Sequence, residues 1–195
     1  MSKPSATRGF ARERVLEAAL ELFAKHGVHG TSLQMIADRL GVGKGAVYYQ
    51  FQSKDEIALA VVLPVFEDIE HLTRIAELLP SPEAQLDVAI SGLVELAIRH
   101  RRVSSLFHGD PIIHQLIESR DEFQVIVDRF SALLLGPNPD TSTRVAISMT
   151  TAGIYACATD PVLADIADAE LRLILLDCSK RCVRPSTSHQ HSELH

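Results

Sequence analysis

The sequence predicts an all-α protein, and three observations carry that prediction. Every periodic apolar pattern in the 195 residues has the helical spacing of three and four. Glycine, proline and capping-box signatures interrupt those patterns at helix-sized intervals. No segment alternates apolar and polar residues as a half-buried strand does.

The elements follow in order. Val15, Ala19, Leu22 and Phe23, widened by Leu16 and Leu20, form one apolar stripe, which predicts an amphipathic helix from about Ala11 to His26, stopped at Gly27. Leu33, Ile36, Ala37 and Leu40 repeat the pattern over a shorter stretch. Thr31 with Gln34 reads as the capping box that opens this second helix, and Gly41 closes it. A very short third helix fits Lys44 to Gln50. Ser53-Lys54-Asp55-Glu56 is a second capping box and opens a long helix. Pro64 lies inside that helix and predicts a kink near Ala60 to Val61, because proline lacks the N–H and crowds the preceding turn. Ser81 then caps, and Pro82 begins, a helix running to about His100. Breaks at Asp110-Pro111, at 136–140 and at Asp160-Pro161 leave helices near 112–118, 121–135, 141–159 and 163–182. The polar, aperiodic stretch 184–195 is expected to be disordered.

Composition narrows the class. With 46% hydrophobic and 23% charged residues the chain reads as globular, and 195 residues can bury a real core. No apolar run reaches the roughly 18 residues of a membrane helix, and "MSKPSATRGFARER" has no apolar core of a secretory signal. The expectation is a cytoplasmic protein with no membrane partner. Three cysteines, Cys157, Cys178 and Cys182, are too few and too close together for a disulfide framework; Cys178 and Cys182 read as small buried residues at a helix interface. His100, His108 and His114 fall close together without metal-ligand spacing, and no nucleophile–base pair is legible, so neither metal, cofactor nor enzyme is expected. The net charge of −6 is uneven: residues 1–60 carry +2 and the remainder −8. Such asymmetry suits an N-terminal part that faces an anion.

The stretch "GVGKGAVYYQF", residues 41–51, admits two readings. Gly41, Gly43 and Ala46 spell G-x-G-x-x-A, a dinucleotide-binding loop that would make the chain a cofactor protein. That loop needs a buried strand to deliver the glycines, whereas "SLQMIADRL" has helical patterning. A phosphate-binding loop fails too, since Gly45 follows Lys44 where Ser or Thr is required. The other reading uses all the residues. Two short helices joined by a tight glycine turn make a helix-turn-helix, whose second helix enters the major groove of DNA. Val42 would pack into the helix pair, and Gly43, Gly45 and Ala46 would allow close approach to DNA. Val47 and Phe51 would face inward, leaving Tyr48, Tyr49 and Gln50 to touch DNA.

The run "RERVLEAALELFAKHGVHGTSLQMIADRLGVGKGAVYYQFQSKDEIALAVV" resembles the N-terminal domain of TetR-type transcriptional regulators, over about residues 10–63. The resemblance implies a three-helix helix-turn-helix domain at 8–63. It also implies a larger C-terminal helical bundle at 64–183 that binds a small-molecule effector and dimerises. Such a homodimer, usually a repressor, binds a palindromic operator in double-stranded DNA and releases it when the effector binds. By that resemblance Thr31 and Ser32 fall on phosphate contacts. Lys44, Gly45, Ala46, Tyr48, Tyr49 and Gln50 fall on the recognition helix, and Lys54 on a further phosphate contact. Gly43 departs from the pattern, standing where the family usually has Ser or Thr. Arg8, Arg12 and Arg14 suit either an arm on DNA or a solvated helix face. The last two helices would form the four-helix dimer interface. Large residues on the middle helices, Phe66, Leu96, Phe107, Ile113, Phe123, Ile126, Phe130 and Tyr155, are the candidate effector contacts. The acidic body points to a cationic or neutral effector. A helical ligand-binding protein without DNA function is the alternative, with Gly43 as its one hint.

Overall fold

Gly27 sets the first landmark. Its backbone (φ 71°, ψ 167°) is a conformation that L-residues with a Cβ avoid, and it interrupts helix α1, which spans Ser5–Gly30. The computed structural model describes residues 5–183, with the side chains of residues 9, 11–104, 106 and 110–183. The expected tail at 184–195 and the side chain of Arg8 lie outside the described residues. After α1 come α2 (Leu33–Leu40), α3 (Lys44–Gln50), α4 (Lys54–Glu77), α5 (Pro82–Arg99), α6 (Arg101–Gly109), α7 (Pro111–Glu118), α8 (Asp121–Leu135), α9 (Thr141–Thr159) and α10 (Asp168–Val183). A single 3-10 turn, Pro161–Leu163, precedes α10. The described residues contain no strand, and the all-α expectation holds. None of their helices is long and apolar enough to cross a membrane.

Several boundaries are set by the chemistry the sequence advertised. Ser53 accepts the Glu56 N–H at 3.1 Å while the Glu56 carboxylate takes the Gln52 N–H at 2.7 Å, a working capping box at the start of α4. Ser81 caps α5 through the Ala84 N–H, ahead of Pro82. Asp140 caps α9, and the Thr143 N–H that it accepts at 2.7 Å holds its carboxyl below the ordinary value. α4 is one helix through Pro64. Three expectations need correction. The cap of α2 is Ser32, which accepts the Met35 N–H; Thr31 turns back to Gly27, and Gln34 bonds Asp38 instead. Residues 101–109, placed in no helix by the sequence, form α6. The last helix starts at Asp168, because Pro161 begins a 3-10 turn and not the helix itself.

The described chain divides into two compact units. One comprises the chain up to His71 together with His100–Arg129. Its core is one apolar cluster that includes Val15, Ala19 and Phe23 of α1, Ile36, Val47, Phe51 and Ile57, and also Phe66, Leu106, Ile113 and Phe123. Helices α6 and α7 therefore share a core with the helix-turn-helix. The other unit comprises Leu72–Arg99 and the chain from Phe130 onward. There α9 buries Ile147, Thr150, Ile154 and Ala158, and α10 buries Leu171, Leu175 and Ser179. Arg172 donates to Glu95 at 2.7 Å, tying α10 to α5. Gly92 of α5 leaves room for Leu72, whose side chain would collide with any Cβ at that position. On the outer faces of α9 and α10, Val145, Met149, Ala152, Ala156, Leu173, Ile174 and Cys178 are exposed. On α10, Leu171 and Leu175 point inward and do not belong to this outer face. Cys178 and Cys182 are exposed as well, not buried.

Candidate nucleic-acid interface

The α2–α3 turn is built by Gly41. Its left-handed backbone (φ 67°) lets its own N–H and that of Val42 return to the carbonyls of Asp38 and Ala37, which closes α2. The extended Gly43 then starts α3 without a side-chain cap. Val47 and Phe51 are both 0% exposed, so they hold α3 against α1 and α2. The opposite side of α3 faces outward: Tyr49 is 70% and Tyr48 46% exposed, while Lys44, Gly45 and Ala46 are exposed and Gln50 is half-buried. The side-chain orientation read from the sequence is therefore the one observed. Val42 is not packed into the helix pair as expected; at 38% exposure it borders a small depression of about 80 Å³ with Ala11, Arg14, Ala46 and Gln50.

The charges around α3 are held by short-range contacts. The Lys44 ammonium lies 5.5 Å from the centre of the Tyr48 ring, and the Arg12 guanidinium 4.6 Å from that of Phe51, both within cation–π range. Arg39 pairs with Glu21 at 2.7 Å in the open, a pairing of the kind worth about 0–1 kcal/mol and readily exchanged for a phosphate. Lys54 stands at the N-terminus of α4, where the helix dipole also attracts anions, but its ammonium already donates to the His29 carbonyl at 3.1 Å. Two of its three protons are left for other acceptors. Ser32 is exposed at the N-terminus of α2. Thr31 is a correction: it is 2% exposed and its hydroxyl donates to the Gly27 carbonyl at 2.8 Å, so this side chain is an internal brace.

The candidate effector contacts fall in both units. In the first, Phe66 and Phe123 meet ring against ring at 4.2 Å, Ile113 is buried with them, and Ile126 packs on the same cluster. The side chain of Phe107 lies outside the described residues. In the second, Leu96 and Phe130 are buried, and burial of the Tyr155 phenol pushes its pKa up to about 12. Sequence reading passed over Asp110, treated only as half of an Asp-Pro break. It is a buried carboxylate that accepts backbone N–H groups from both Val28 and Ile112. The Asp-Pro pair could have revealed the second bond, as an N-cap followed by proline at the first helical position. The first bond spans 82 residues and leaves no local signal.

Residues 15–61 match the family of bacterial regulatory proteins called the tetR family. The chain is 30% identical over 171 residues to the probable acrEF/envCD operon repressor of Escherichia coli K12, covering 85% of this chain and 70% of that protein. It is also 30% identical over 132 residues to the probable transcriptional regulator ArpR of Pseudomonas putida, covering 63% of this chain and 59% of that one. Among solved structures, the ketosteroid transcriptional regulator KstR2 of Mycobacterium tuberculosis superposes with a TM-score of 0.65. That match covers 88% of this chain and 92% of the other at 17% identity, a likeness of fold.

Proposed function

The chain belongs to the tetR family of bacterial regulatory proteins and is a transcriptional regulator, and from that premise we propose a ligand-released repressor that grips a palindromic operator as a homodimer. The observation that carries this reading is the division of α3 into two sides. Val47 and Phe51 anchor it, while Tyr48 and Tyr49 stand out beside Lys44. Exposed aromatics on a helix sized for the major groove gain little in water and much against DNA backbone or a thymine methyl. Lys44, Gly45, Ala46, Tyr48, Tyr49 and Gln50 are the proposed groove-facing residues, with Ser32 and Lys54 on phosphates.

Two further parts complete the reading. The exposed apolar residues of α9 and α10, Val145, Met149, Leu173 and Ile174, supply a surface that a second copy would cover. A twofold dimer requires a twofold operator, hence the palindrome. The effector is proposed to be a cationic or neutral small molecule that meets some of Phe66, Ile113, Phe123 and Ile126, or Leu96, Phe130 and Tyr155. A regulator of this kind works in the cytoplasm, where its DNA lies. The test is fluorescence anisotropy with the inverted repeats found upstream of the gene itself, titrated at several salt concentrations. Specific binding should weaken steeply with salt. Equal, weak affinity for all those repeats and for scrambled DNA would overturn the proposal.

A further inference from the structure

Because of Gly27, the following N–H leaves the helical ladder of α1, and it does so in a buried place, since Val28 is 0% exposed. A buried donor without a partner is costly. The partner comes from far along the chain: Asp110 Oδ2 accepts the Val28 N–H at 2.5 Å. Asp110 is 7% exposed and sits at the elbow between α6 and α7, where its Oδ1 accepts the Ile112 N–H at 2.9 Å and caps α7. A Cβ on Gly27 would come within 3.3 Å of that same Oδ2, so the bond and the glycine belong together. The carbonyl of the same peptide group, that of Gly27, accepts the Thr31 hydroxyl at 2.8 Å. One peptide is thus held at both ends, by the elbow on its N–H and by the residue before the α2 cap on its C=O. Polarisation through the peptide strengthens each bond when the other is made. Lys54, donating to His29, ties the start of α4 to the same loop.

We propose that Asp110 is a positioning residue for operator binding: through the Gly27–Val28 peptide and the Thr31 hydroxyl it fixes where the helix-turn-helix begins, so the α6–α7 elbow and the DNA-reading helices keep one register. This rests on the operator-binding reading above. Asp110→Asn keeps the shape but supplies an acceptor for only one of the two N–H groups. Thr31→Val removes the hydroxyl at constant volume, and Thr31→Ser restores it.

The measurements are operator anisotropy well below the melting temperature and amide exchange of residues 33–50, with Asp140→Ala, which uncaps α9 in the other unit, as the stability control. Asp110→Asn and Thr31→Val should each weaken operator binding about tenfold, and the double variant no more than either alone, since both act through one peptide. Thr31→Ser should bind like the parent. Exchange across α2 and α3 should quicken in the first two variants and stay unchanged in Asp140→Ala. Full affinity in Asp110→Asn, independent losses that multiply in the double variant, or unchanged exchange would overturn the assignment. Should Asp110→Asn fail to fold, the Thr31 pair decides: full operator affinity in Thr31→Val refutes it. A parent protein that binds no DNA would refute the operator reading alone, and the exchange comparison would still decide whether Asp110 fixes α2.

Discussion

Replacing Tyr49 and Val47 separately tests the division of α3 into a reading side and an anchoring side. Tyr49 is 70% exposed, so truncating it to Ala removes little buried surface and should leave the melting temperature within about 2 °C, as surface changes within ±0.5 kcal/mol do. Its cost should fall on specific binding, about 1–3 kcal/mol, the range for disrupting a single base-pair position at a protein–DNA interface. At 1.4 kcal/mol per decade that weakens binding roughly 5- to 150-fold. Val47 is 0% exposed; Val47→Ala deletes two methyl groups at about 0.8 kcal/mol each, with a cavity term added. A loss near 2 kcal/mol in a chain of 195 residues lowers the melting temperature by roughly 4–8 °C. Thermal denaturation by circular dichroism and operator anisotropy on both variants separate the two outcomes. A Tyr49→Ala protein that melts lower but binds with full affinity would mean that α3 presents its other side to DNA.

Lys54→Ala should weaken binding about equally for all DNA sequences and lower the slope of log K against log salt by about 0.9, the value for one phosphate no longer neutralised; an unchanged slope and affinity would leave Lys54 with only its bond to the His29 carbonyl. Met149, 64% exposed on α9, should carry the dimer, so Met149→Asp should yield a monomer by sedimentation at micromolar concentration while the parent is a dimer. Gly43→Ser meets nothing within 4 Å and supplies the side-chain cap that α3 lacks, so it should raise stability by a few tenths of a kcal/mol and tighten operator binding; weaker binding would mean that the backbone at 43 lies too close to DNA for a side chain. The folded-state pKa of Tyr155 lies above its ordinary value of 10, at about 12, so its contribution to stability is complete below pH 10 and lost as pH rises through 12. Tyr155→Phe should therefore flatten the fall in stability over that window in denaturant titrations.

What the sequence disclosed and what it withheld follow one physical line. Residues close in sequence announce their own geometry: Val47 and Phe51 at a spacing of four, Ser53 with Glu56, and Ser81 with Pro82 each behave as their pattern requires. The same local rules assigned the outward side of α3, the heart of the candidate interface. They failed where two neighbours offered the same chemistry. Thr31 and Ser32 can both cap α2, and only the conformation of Gly27, which turns a carbonyl toward Thr31, leaves the cap to Ser32. They failed again at α6, whose short apolar pattern follows α5 so closely that no glycine or proline separates them.

The electrostatics of the interface also needed the structure. A surplus of +2 over residues 1–60 is small for a DNA-binding segment, and taken as a number it says little about phosphate binding. In the fold, two of the six acidic residues in that segment face basic partners: Glu21 faces Arg39, and Glu17 faces Arg102 from α6. Two cations beside α3, Lys44 and Arg12, lie over aromatic rings, which restrict where each charge can go without neutralising it. An exposed guanidinium paired with a carboxylate can exchange that partner for a phosphate at a cost of about 1 kcal/mol or less. The pairing of Glu17 with Arg102 offsets one acidic charge of residues 1–60 with a cation from outside that segment, whereas that of Glu21 with Arg39 leaves the sum unchanged. Sequence alone gives the sum of the charges; the pairings among α1, α2 and α6 decide which of them DNA encounters.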